Sequence, residues 1–430
     1  MAAQTGYKAS EQGMIPQDWD VVELGSVAEI QRGASPRPID SPIWFSQSSN
    51  VGWLRISDVT KSEKYLYNTI QNLSEEGIKN SRYVAKDSLI MSICATVGKP
   101  IINRKDICIH DGFVVFRNPQ FDIEFMFYVL QEYESKWGNQ GQTGSQMNLN
   151  TDLIKNKIVC LPPFSEQTAI ATALSDTDAL ISSLQTLIAK KKAIKLSAMQ
   201  NLLSGKIRLP EFAQRPDGSP KTTHQTEQGL LPEDWEVVEL GKLTTFINDG
   251  THHTPQYVDS GIPFYSVENI TNNDFNNVKY ISVEEHNKLI KRCKPEEGDL
   301  LLTRIGTIGL TKLIDWNICA SIYVSLALLK FKEGVNVKYI YEYSKSNLFK
   351  NEISKRALLN ATPPKINMDQ ISKIRILIPK STTEQTAIAQ LLSDMDAEIE
   401  ALECRLKKTQ ALKQGMMQAL LSGKIRLPLK

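Results

Sequence analysis

The sequence repeats itself at a distance of about half its length. Three motifs occur twice and in the same order: IPQDWDVVELG at 15–25 and LPEDWEVVELG at 231–241, EQTAIA at 166–171 and 384–389, and LSGKIRLP at 203–210 and 421–428. Shifts of 216 to 218 residues indicate a duplicated domain pair rather than a solenoid. Between the motifs the apolar pattern persists while the polar residues change, as in WLRISDVT at 53–60 and FYSVENIT at 264–271. The repeat therefore predicts one fold used twice with two different surfaces.

Each repeat divides into a globular part followed by a helical part. In the globular parts, short apolar runs alternate with turns rich in Gly, Asn and Ser, which is typical of a mixed α/β domain. The fold class predicted is α+β or mixed α/β, with two similar domains joined by two long helices. The predicted boundaries are an N-terminal extension at 1–14, a first domain at 15–163, a first helix at 164–210, a polar and flexible linker at 211–230, a second domain at 231–380, and a second helix at 381–430.

Apolar residues recur at spacings of three and four along both helical segments. They are Ile170, Leu174, Ile181, Leu184 and Ile188 in the first helix, and Ile388, Leu392, Met395, Ile399 and Leu402 in the second. Such a seam over about 40 residues, roughly 60 Å at 1.5 Å per residue, predicts a coiled coil. The seam residues are also the candidates for partner binding.

The charge distribution predicts how the two helices pair. The front half of each helix carries mainly acidic residues, and the back half is basic. Antiparallel pairing sets acidic ends against basic ends, whereas parallel pairing opposes like charges. The alternative is that the gradient only complements each helix's own dipole. An antiparallel rod has a pseudo-twofold axis and carries one domain at each end, which suits two DNA half-sites about 34 Å apart.

Composition excludes several classes of protein. With 50 basic and 48 acidic residues the chain is not a histone-like polycation, although a local basic stripe could still bind DNA. The six cysteines form no CxxC pair, so neither a zinc site nor a disulfide framework is predicted. The sequence shows no signal-peptide pattern and no apolar run of about 18 residues, so we expect a cytoplasmic protein with no membrane span.

A search for catalytic motifs finds none. A DNA adenine methyltransferase needs a polar residue, two prolines and an aromatic residue to hold a flipped base. The segment 161–164 lacks the polar residue, and the segment 362–365 lacks the aromatic residue. The segment 204–207 does not complete a phosphate-binding loop, and the adjacent His252 and His253 lack metal-ligand spacing. We therefore predict no catalytic residue, no bound cofactor and no metal in this chain.

The complete pattern resembles the specificity subunit of Type I restriction-modification enzymes. The motifs that carry the resemblance are IPxDWxVxxLG, NxDxI, EQxxIA and LLSGKIR, each of which occurs twice, or nearly so, along essentially the whole chain. The resemblance implies two target-recognition domains joined by an antiparallel coiled coil of spacer helices. It also implies a non-catalytic subunit that recognises a bipartite, asymmetric site in double-stranded DNA.

The resemblance further implies the partners. Two modification subunits would carry S-adenosylmethionine and methylate adenine N6, and two restriction subunits would use ATP and Mg. Departure from the family pattern is small: Pro162-Pro163 follows the first domain's last strand, whereas Pro379 stands alone in the second.

Candidate DNA-reading residues are those able to reach base edges or phosphates from loops. In the first domain they are Arg32, Ser35, Arg55, Ser57, Asp58, Gln140, Gln142, Ser145 and Gln146. In the second domain they are Thr251, His252, His253, Glu268, Asn269, Arg304, Thr362 and Lys365. The alternative for any one of them is an ordinary solvated side chain.

Two other functions stay open at this point. A complete methyltransferase or nuclease predicts that the isolated chain binds S-adenosylmethionine tightly. A coiled-coil protein-interaction scaffold predicts no affinity for DNA, even at low salt with modification subunits present.

Overall fold

The computed structural model describes residues 6–137 and 149–428. The chain forms two compact units, the first built from 1–185 with 405–430 and the second from 186–404. Both units mix strands, short helices and stretches of the long helices, so the predicted mixed fold class is confirmed. No helix among the described residues is long and apolar enough to cross a membrane.

Strands β1 to β13 belong to the first unit. They are β1 Tyr7–Ser10, β2 Gly13–Pro16, β3 Asp20–Glu23, β4 Glu29–Arg32, β5 Gly52–Leu54, β6 Tyr65–Leu66, β7 Gln71–Asn72, β8 Arg82–Val84, β9 Leu89–Ser92, β10 Pro100–Asn103, β11 Ile107–Ile109, β12 Phe113–Arg117 and β13 Ile158–Leu161.

Strands β14 to β25 belong to the second unit. They are β14 Thr223–Thr226, β15 Gly229–Pro232, β16 Trp235–Glu239, β17 Thr244–Asp249, β18 Tyr257–Val258, β19 Ile262–Tyr265, β20 Lys279–Ile281, β21 Leu300–Thr303, β22 Thr311–Leu313, β23 Ser321–Ile322, β24 Leu326–Phe331 and β25 Arg375–Pro379.

The helices follow in chain order. They are α1 Leu24–Val27, α2 Ile56–Lys61, α3 Glu75–Lys79, α4 Ile123–Trp137, α5 Thr151–Lys155, α6 Phe164–Leu202, α7 Pro210–Ala213, α8 Leu240–Leu243, α9 Val267–Asn272, α10 Val283–Leu289, α11 Val337–Ser344, α12 Asn347–Arg356, α13 Met368–Ser372 and α14 Thr382–Leu420. The two long helices, α6 and α14, have 39 residues each.

The first unit contains a five-stranded sheet in the order β4-β12-β9-β10-β6 and a four-stranded sheet in the order β7-β5-β11-β8. Strand β9 is buried on both faces. Leu89 and Met91 enter one apolar core while Ile90 enters another, because successive side chains of a strand point to opposite faces. The larger sheet therefore lies between two apolar layers and gives the loops at its ends a rigid base.

The second unit repeats this arrangement with different residues. Its two four-stranded sheets have the orders β17-β24-β21-β22 and β18-β20-β19-β23. In β21, Leu300 and Leu302 enter one core and Leu301 enters the other. The prediction of one fold used twice is confirmed at the level of the buried strands.

The three repeated motifs meet at one place in the first unit. Glu166, which is 1% exposed, accepts hydrogen bonds from Trp19 Nε1 at 3.0 Å and from Arg426 Nη2 at 2.6 Å. Arg426 also binds both carboxylate oxygens of Asp18 at 2.8 Å. The DW, EQ and GKIR motifs therefore meet in one ion-paired clamp around the buried Glu166.

The second unit has the matching clamp. Arg208 donates to Glu384 Oε1 at 2.9 Å and to Asp234 Oδ1 at 2.6 Å. Arg208 comes from the first sequence repeat, whereas its two partners come from the second. Arg426 likewise closes the first unit although it belongs to the second repeat, so each unit is completed by the end of the other repeat.

The two long helices run antiparallel within each unit. In the first unit Asp178 pairs with Lys413 at 2.7 Å, twelve residues beyond Glu166 and thirteen before Arg426. In the second unit the pairs are Lys191 with Glu398 at 2.7 Å, Lys192 with Glu403 at 2.6 Å, and Lys195 with Asp396. Acidic front halves therefore lie against basic back halves, which confirms the orientation that the charge pattern predicts.

The segment predicted as a flexible linker differs from that expectation. It contains helix α7 and the hairpin of β14 and β15, which pair in antiparallel register from Thr223 with Pro232 to Thr226 with Gly229. Arg215 binds Glu233 at 2.5 Å, and Lys221 binds Asp234 at 2.6 Å. Charged pairs order the polar stretch, while Leu231 of the hairpin packs into the core of the second unit. A single core residue makes no apolar periodicity, which is why the sequence pattern does not indicate the hairpin.

Candidate nucleic-acid interface

In the first unit, a tight turn after β4 carries two of the predicted readers. A Cβ at Gly33 would lie 2.0 Å from the carbonyl oxygen of His110, so only glycine fits there. Arg32 Nε donates to the Asp111 carbonyl oxygen at 2.7 Å, and Ser35 Oγ donates to Asp111 Oδ1 at 2.7 Å. Asp111 thus holds both predicted side chains on one loop.

Arg55 lies in the same region. Its Nε donates to Gln71 Oε1 at 3.1 Å, and its guanidinium lies 5.9 Å from the centre of the Trp53 ring. The Trp53 ring in turn lies 5.8 Å from the ring of His110. Since Arg55 is half-buried and directed by neighbours, it is better fixed than a free surface arginine.

The electrostatics of this cluster centre on His110 and Asp111. Hydrogen bonding from Ser35 lowers the pKa of Asp111 below its ordinary value. Burial lowers the pKa of His110, although the neighbouring Asp111 opposes that shift. At neutral pH the cluster therefore presents an ionised carboxylate, a neutral imidazole and the two arginine cations.

Two predicted residues at the start of α2 have different surroundings. Asp58 is buried, and its carboxylate accepts from the backbone N–H of Arg55 at 2.9 Å and of Ile70 at 3.2 Å. Ser57 is exposed. The structure uses Asp58 to cap the helix, while Ser57 remains on the surface.

The matching pair in the second unit behaves in the same way. Asn269 accepts from the backbone N–H of Ser266 at 2.8 Å and donates to the Asp274 carbonyl oxygen at 3.1 Å, so it caps α9. Glu268 is exposed. The surface position therefore holds serine in one unit and glutamate in the other.

The predicted readers Gln140, Gln142, Ser145 and Gln146 lie outside the described residues.

In the second unit, the turn after β17 repeats the geometry of the turn at Gly33. A Cβ at Gly250 would lie 2.0 Å from the carbonyl oxygen of Ile322. Thr251 is buried and its Oγ1 lies 2.8 Å from His253 Nδ1. His252 Nε2 lies 3.1 Å from Asp249 Oδ2, and His253 Nε2 lies 3.0 Å from Glu285 Oε1. Both imidazole side chains are mostly exposed to solvent.

Arg304 is buried instead of lying on the surface. Its Nη1 donates to Asp249 Oδ2 at 2.9 Å and to the Val324 carbonyl oxygen at 3.0 Å. Burial lowers the pKa of Arg304, and the charge of Asp249 opposes that shift. These contacts join the ends of three strands, so Arg304 supports the loop from below.

Thr362 and Lys365 lie together on a separate exposed loop. The backbone of Lys365 bridges to Leu358, with Leu358 N–H donating to Lys365 O at 2.7 Å. Gly306 N–H donates to Pro364 O at 2.9 Å, which fixes the loop beside the strand that Arg304 follows. The structure therefore brings the two residues together near the predicted reading side of their unit.

The seam residues are used within the chain. Ile170 and Leu174 join the first unit's core, and Ile388 and Leu392 join the second unit's core. Among the rest, Leu184, Ile188 and Ile399 are buried, and Ile181, Met395 and Leu402 are half-buried. Because these side chains already pack internally, a partner would meet the outer faces of the helices, and binding through the seam stays a prediction.

Sequence reasoning missed the residues that organise both clusters. They are Gln71, His110, Asp111, Asp249, Glu285 and Arg292. A signal existed for two of them, since His110 and Asp111 precede Gly112 between two apolar runs, which is typical of a turn. The others are defined by contacts between distant parts of the sequence. Over residues 6–137 and 149–428, no three His, Cys, Asp or Glu side chains are arranged to hold a metal ion.

Comparison with known proteins gives one consistent result. The family described as "Type I restriction modification DNA specificity domain" matches residues 16–193 and again residues 232–410. The MjaVIII specificity subunit of a Type I restriction enzyme from Methanocaldococcus jannaschii is 25% identical over 96% of this chain and 94% of its own length.

Solved structures show the same fold. The S subunit of a Type I restriction-modification system from M. genitalium has a TM-score of 0.59 at 12% identity, covering 98% of both chains. A structure that describes complex assembly and conformational transition of the type I R-M system has a TM-score of 0.53 at 16% identity, covering 96% of this chain and 99% of that one.

Proposed function

The chain belongs to the Type I restriction-modification DNA specificity family, and we propose from this premise that each unit reads one half of a bipartite, asymmetric DNA site. One observation carries the proposal. At both Gly33 and Gly250 a Cβ would lie 2.0 Å from a backbone carbonyl oxygen, so the chain passes equally close to a neighbouring segment in both units, but the side chains around the two glycines differ. A shared scaffold with two different sets of polar groups suits the recognition of two different half-sites.

The two long helices would set the distance between the half-sites and dock the modification subunits. Each helix has 39 residues and is roughly 58 Å long at 1.5 Å per residue, which is longer than a DNA turn of about 34 Å. Their outer faces would receive the partner, because the seam is buried within the chain.

Methyl transfer and cleavage would belong to other subunits. S-adenosylmethionine would bind to the two modification subunits, while ATP and Mg would serve the two restriction subunits. The segment nearest to a methyltransferase loop supports this division, because Leu161 ends β13 and Phe164 begins α6. Its two prolines thus lie in a connection between two packed elements. The complex would act on chromosomal DNA in the cytoplasm.

The test is a methylation map. The gene is deleted in its host, and N6-methyladenine is mapped across the genome before and after the deletion. Loss of one asymmetric bipartite motif is the expected result, and it also supplies the target sequence. Restoring the intact gene must restore the motif. A methylation map that the deletion leaves unchanged, in cells shown to express the intact gene and the modification subunit, would refute the proposal.

A matched pair of variants then tests the division of labour. Replacing Arg55 with alanine alters the first unit, and replacing His252 with alanine alters the second. Each variant should relax one half of the motif and leave the other half intact. Relaxation of both halves by either variant would contradict the assignment of one half-site to each unit.

A further inference from the structure

The residue before the shared glycine carries opposite charge in the two units. In the first unit β4 ends in Arg32, and in the second unit β17 ends in Asp249. The turns match closely, since Ala34 N–H donates to Ile109 O at 3.0 Å and Thr251 N–H donates to Ile322 O at 3.1 Å. A positive side chain in one unit is therefore replaced by a buried negative one at the same point of the fold.

Asp249 is 3% exposed, and its single negative charge is paired with two arginine cations. Its Oδ2 takes Arg304 Nη1 at 2.9 Å, and this buried arginine alone balances the carboxylate. Its Oδ1 takes Arg292 Nη2 at 2.7 Å. Because Arg304 already neutralises Asp249, the charge of Arg292 is left over for a group outside the protein.

Arg292 is held in place by its neighbours, but some of its N–H groups have no hydrogen-bond partner among the described residues. Its backbone N–H donates to Leu289 O at 3.1 Å in the turn after α10, and the next residue, Cys293, is buried. Its side chain is 52% exposed. Within residues 6–137 and 149–428 its two hydrogen bonds both use Nη2, a short one of 2.7 Å to Asp249 Oδ1 and a long one of 3.4 Å to Asn248 Oδ1, and Nη1 and Nε have no partner there. Each edge of the guanidinium contains one N–H of Nη2. The edge away from Asp249 is therefore opposed by no more than the long contact with Asn248.

The surroundings favour a ligand with hydrogen-bond acceptors. Arg292 lines a cavity of about 380 Å³ with Thr251, His252, His253 and Lys288. His253 is paired with Glu285 at 3.0 Å, and Lys288 is paired with Glu284 at 2.9 Å. Among the described residues that line this cavity, Arg292 is therefore the cation whose free N–H groups lie in a plane fixed by a buried partner.

We propose that Arg292 reads a guanine in the half-site of the second unit, with Asp249 fixing the plane of its guanidinium. This inference rests on the proposed function. Guanine presents the O6 and N7 acceptors side by side in the major groove, and a fixed arginine fork matches them with two parallel hydrogen bonds. An arginine fork also binds phosphate. The experiment below separates the two, because only a contact to a base discriminates at one base pair.

The experiment measures binding of the assembled methyltransferase, consisting of this chain and its modification subunits, to DNA duplexes carrying the mapped target. Each G·C pair of the target is replaced in turn. Arg292→Ala should weaken binding to the intact target by about 5- to 150-fold and abolish discrimination at one G·C pair of one half-site. Discrimination at all other pairs should stay as in the wild type.

Two matched variants separate charge from geometry. Arg292→Lys keeps the charge but loses the fork, so it should also lose discrimination at that pair while keeping the salt dependence of binding. Lys291→Ala removes an exposed cation next to Arg292 in the chain but outside the cavity lining, and it should leave discrimination at every pair unchanged.

The outcomes divide cleanly. Equal weakening of all duplexes by Arg292→Ala would show a phosphate contact and overturn the inference, as would full discrimination by either Arg292 variant. Either result leaves the proposed function standing if the wild-type complex prefers its target. A wild-type complex that binds all duplexes alike would overturn the proposed function, and the inference with it.

Discussion

Replacing Arg208 with alanine should destabilise the second unit strongly at neutral pH and weakly at pH 5. Arg208 has a side chain only 8% exposed and pairs with Glu384, whose side chain is 1% exposed. Without Arg208 the Glu384 carboxylate stays buried without its cation. Removing one partner of a buried ion pair costs about 3–5 kcal/mol.

The protonation of Glu384 sets an upper limit to that loss. Burial raises the pKa of Glu384 even with Arg208 beside it, and removing Arg208 raises it further. A glutamate with an unfolded pKa of about 4.3 takes up a proton at pH 7 for about 3.7 kcal/mol, and at pH 5 for about 1 kcal/mol. The folded pKa is raised, so the folded state gains relative stability as pH falls. We expect a loss of about 3 kcal/mol at pH 7 and about 1 kcal/mol at pH 5.

Local hydrogen exchange is the suitable measurement, because a chain of two units need not unfold in one step. Protection of β15 and β16 should fall in the Arg208→Ala protein, while protection of β2 and β3 in the first unit serves as an internal reference. Arg426→Ala is the matched control variant. Since the Arg426 side chain is 36% exposed, water can solvate its partners better, and its loss should be the smaller one.

A double variant completes the test. Adding Glu384→Gln to Arg208→Ala removes the buried charge and should recover most of the lost protection at pH 7. If the single variant lost equal protection at pH 7 and pH 5, or if the double variant recovered none, the reasoning from an unpaired buried carboxylate would be wrong.

Three further predictions concern other parts of the molecule. Gly33→Ala should destabilise the first unit by about 1–3 kcal/mol, measured by local hydrogen exchange, because the new Cβ meets a backbone oxygen. Gly415→Ala, five residues before the end of α14, meets no neighbouring atom and should stabilise the protein by up to about 1 kcal/mol. Equal effects of the two variants would refute this reasoning. Asp111→Ala should relax one half of the methylated motif and leave the other, while Asp111→Asn, which still accepts from Ser35, should relax it less. Burial raises the pKa of Asp234, but hydrogen bonds from Arg208 and Lys221 outweigh that effect and lower the pKa to about 2. Roughly 2 kcal/mol of stability that is present above pH 4 should therefore be lost as the pH falls towards 2. An Asp234→Asn protein that kept this acid transition would contradict the prediction.

The parts of the fold that depend on local pattern could be predicted from the sequence. The repeat, the two long helices and their antiparallel order follow from motif spacing, apolar periodicity and the charge gradient. The hairpin at 223–232 could not be predicted in this way, because ion pairs such as Arg215 with Glu233 order its region without an apolar stripe.

The candidate site was harder to predict for the same physical reason. Asp58 and Asn269 look like exposed polar residues in the sequence, yet backbone N–H groups of a helix start occupy them. Arg304 looks like a surface cation, but Asp249, 55 residues earlier in the chain, gives it a buried partner. Whether a polar side chain faces solvent thus depends on contacts between distant segments, which spacing does not encode.

The way the two ends of the chain share one unit has a consequence for synthesis on the ribosome. The second unit is one continuous stretch, 186–404, and can complete its contacts as soon as that stretch emerges. The first unit lacks residues from 405 onward until about 220 more residues have been translated, a delay of about 10–45 s at 5–20 residues per second. During that time the buried Glu166 lacks its ion-pair partner Arg426, and the amino-terminal unit is incomplete. A stop codon placed after residue 404 should therefore harm the unit made first and spare the unit made last.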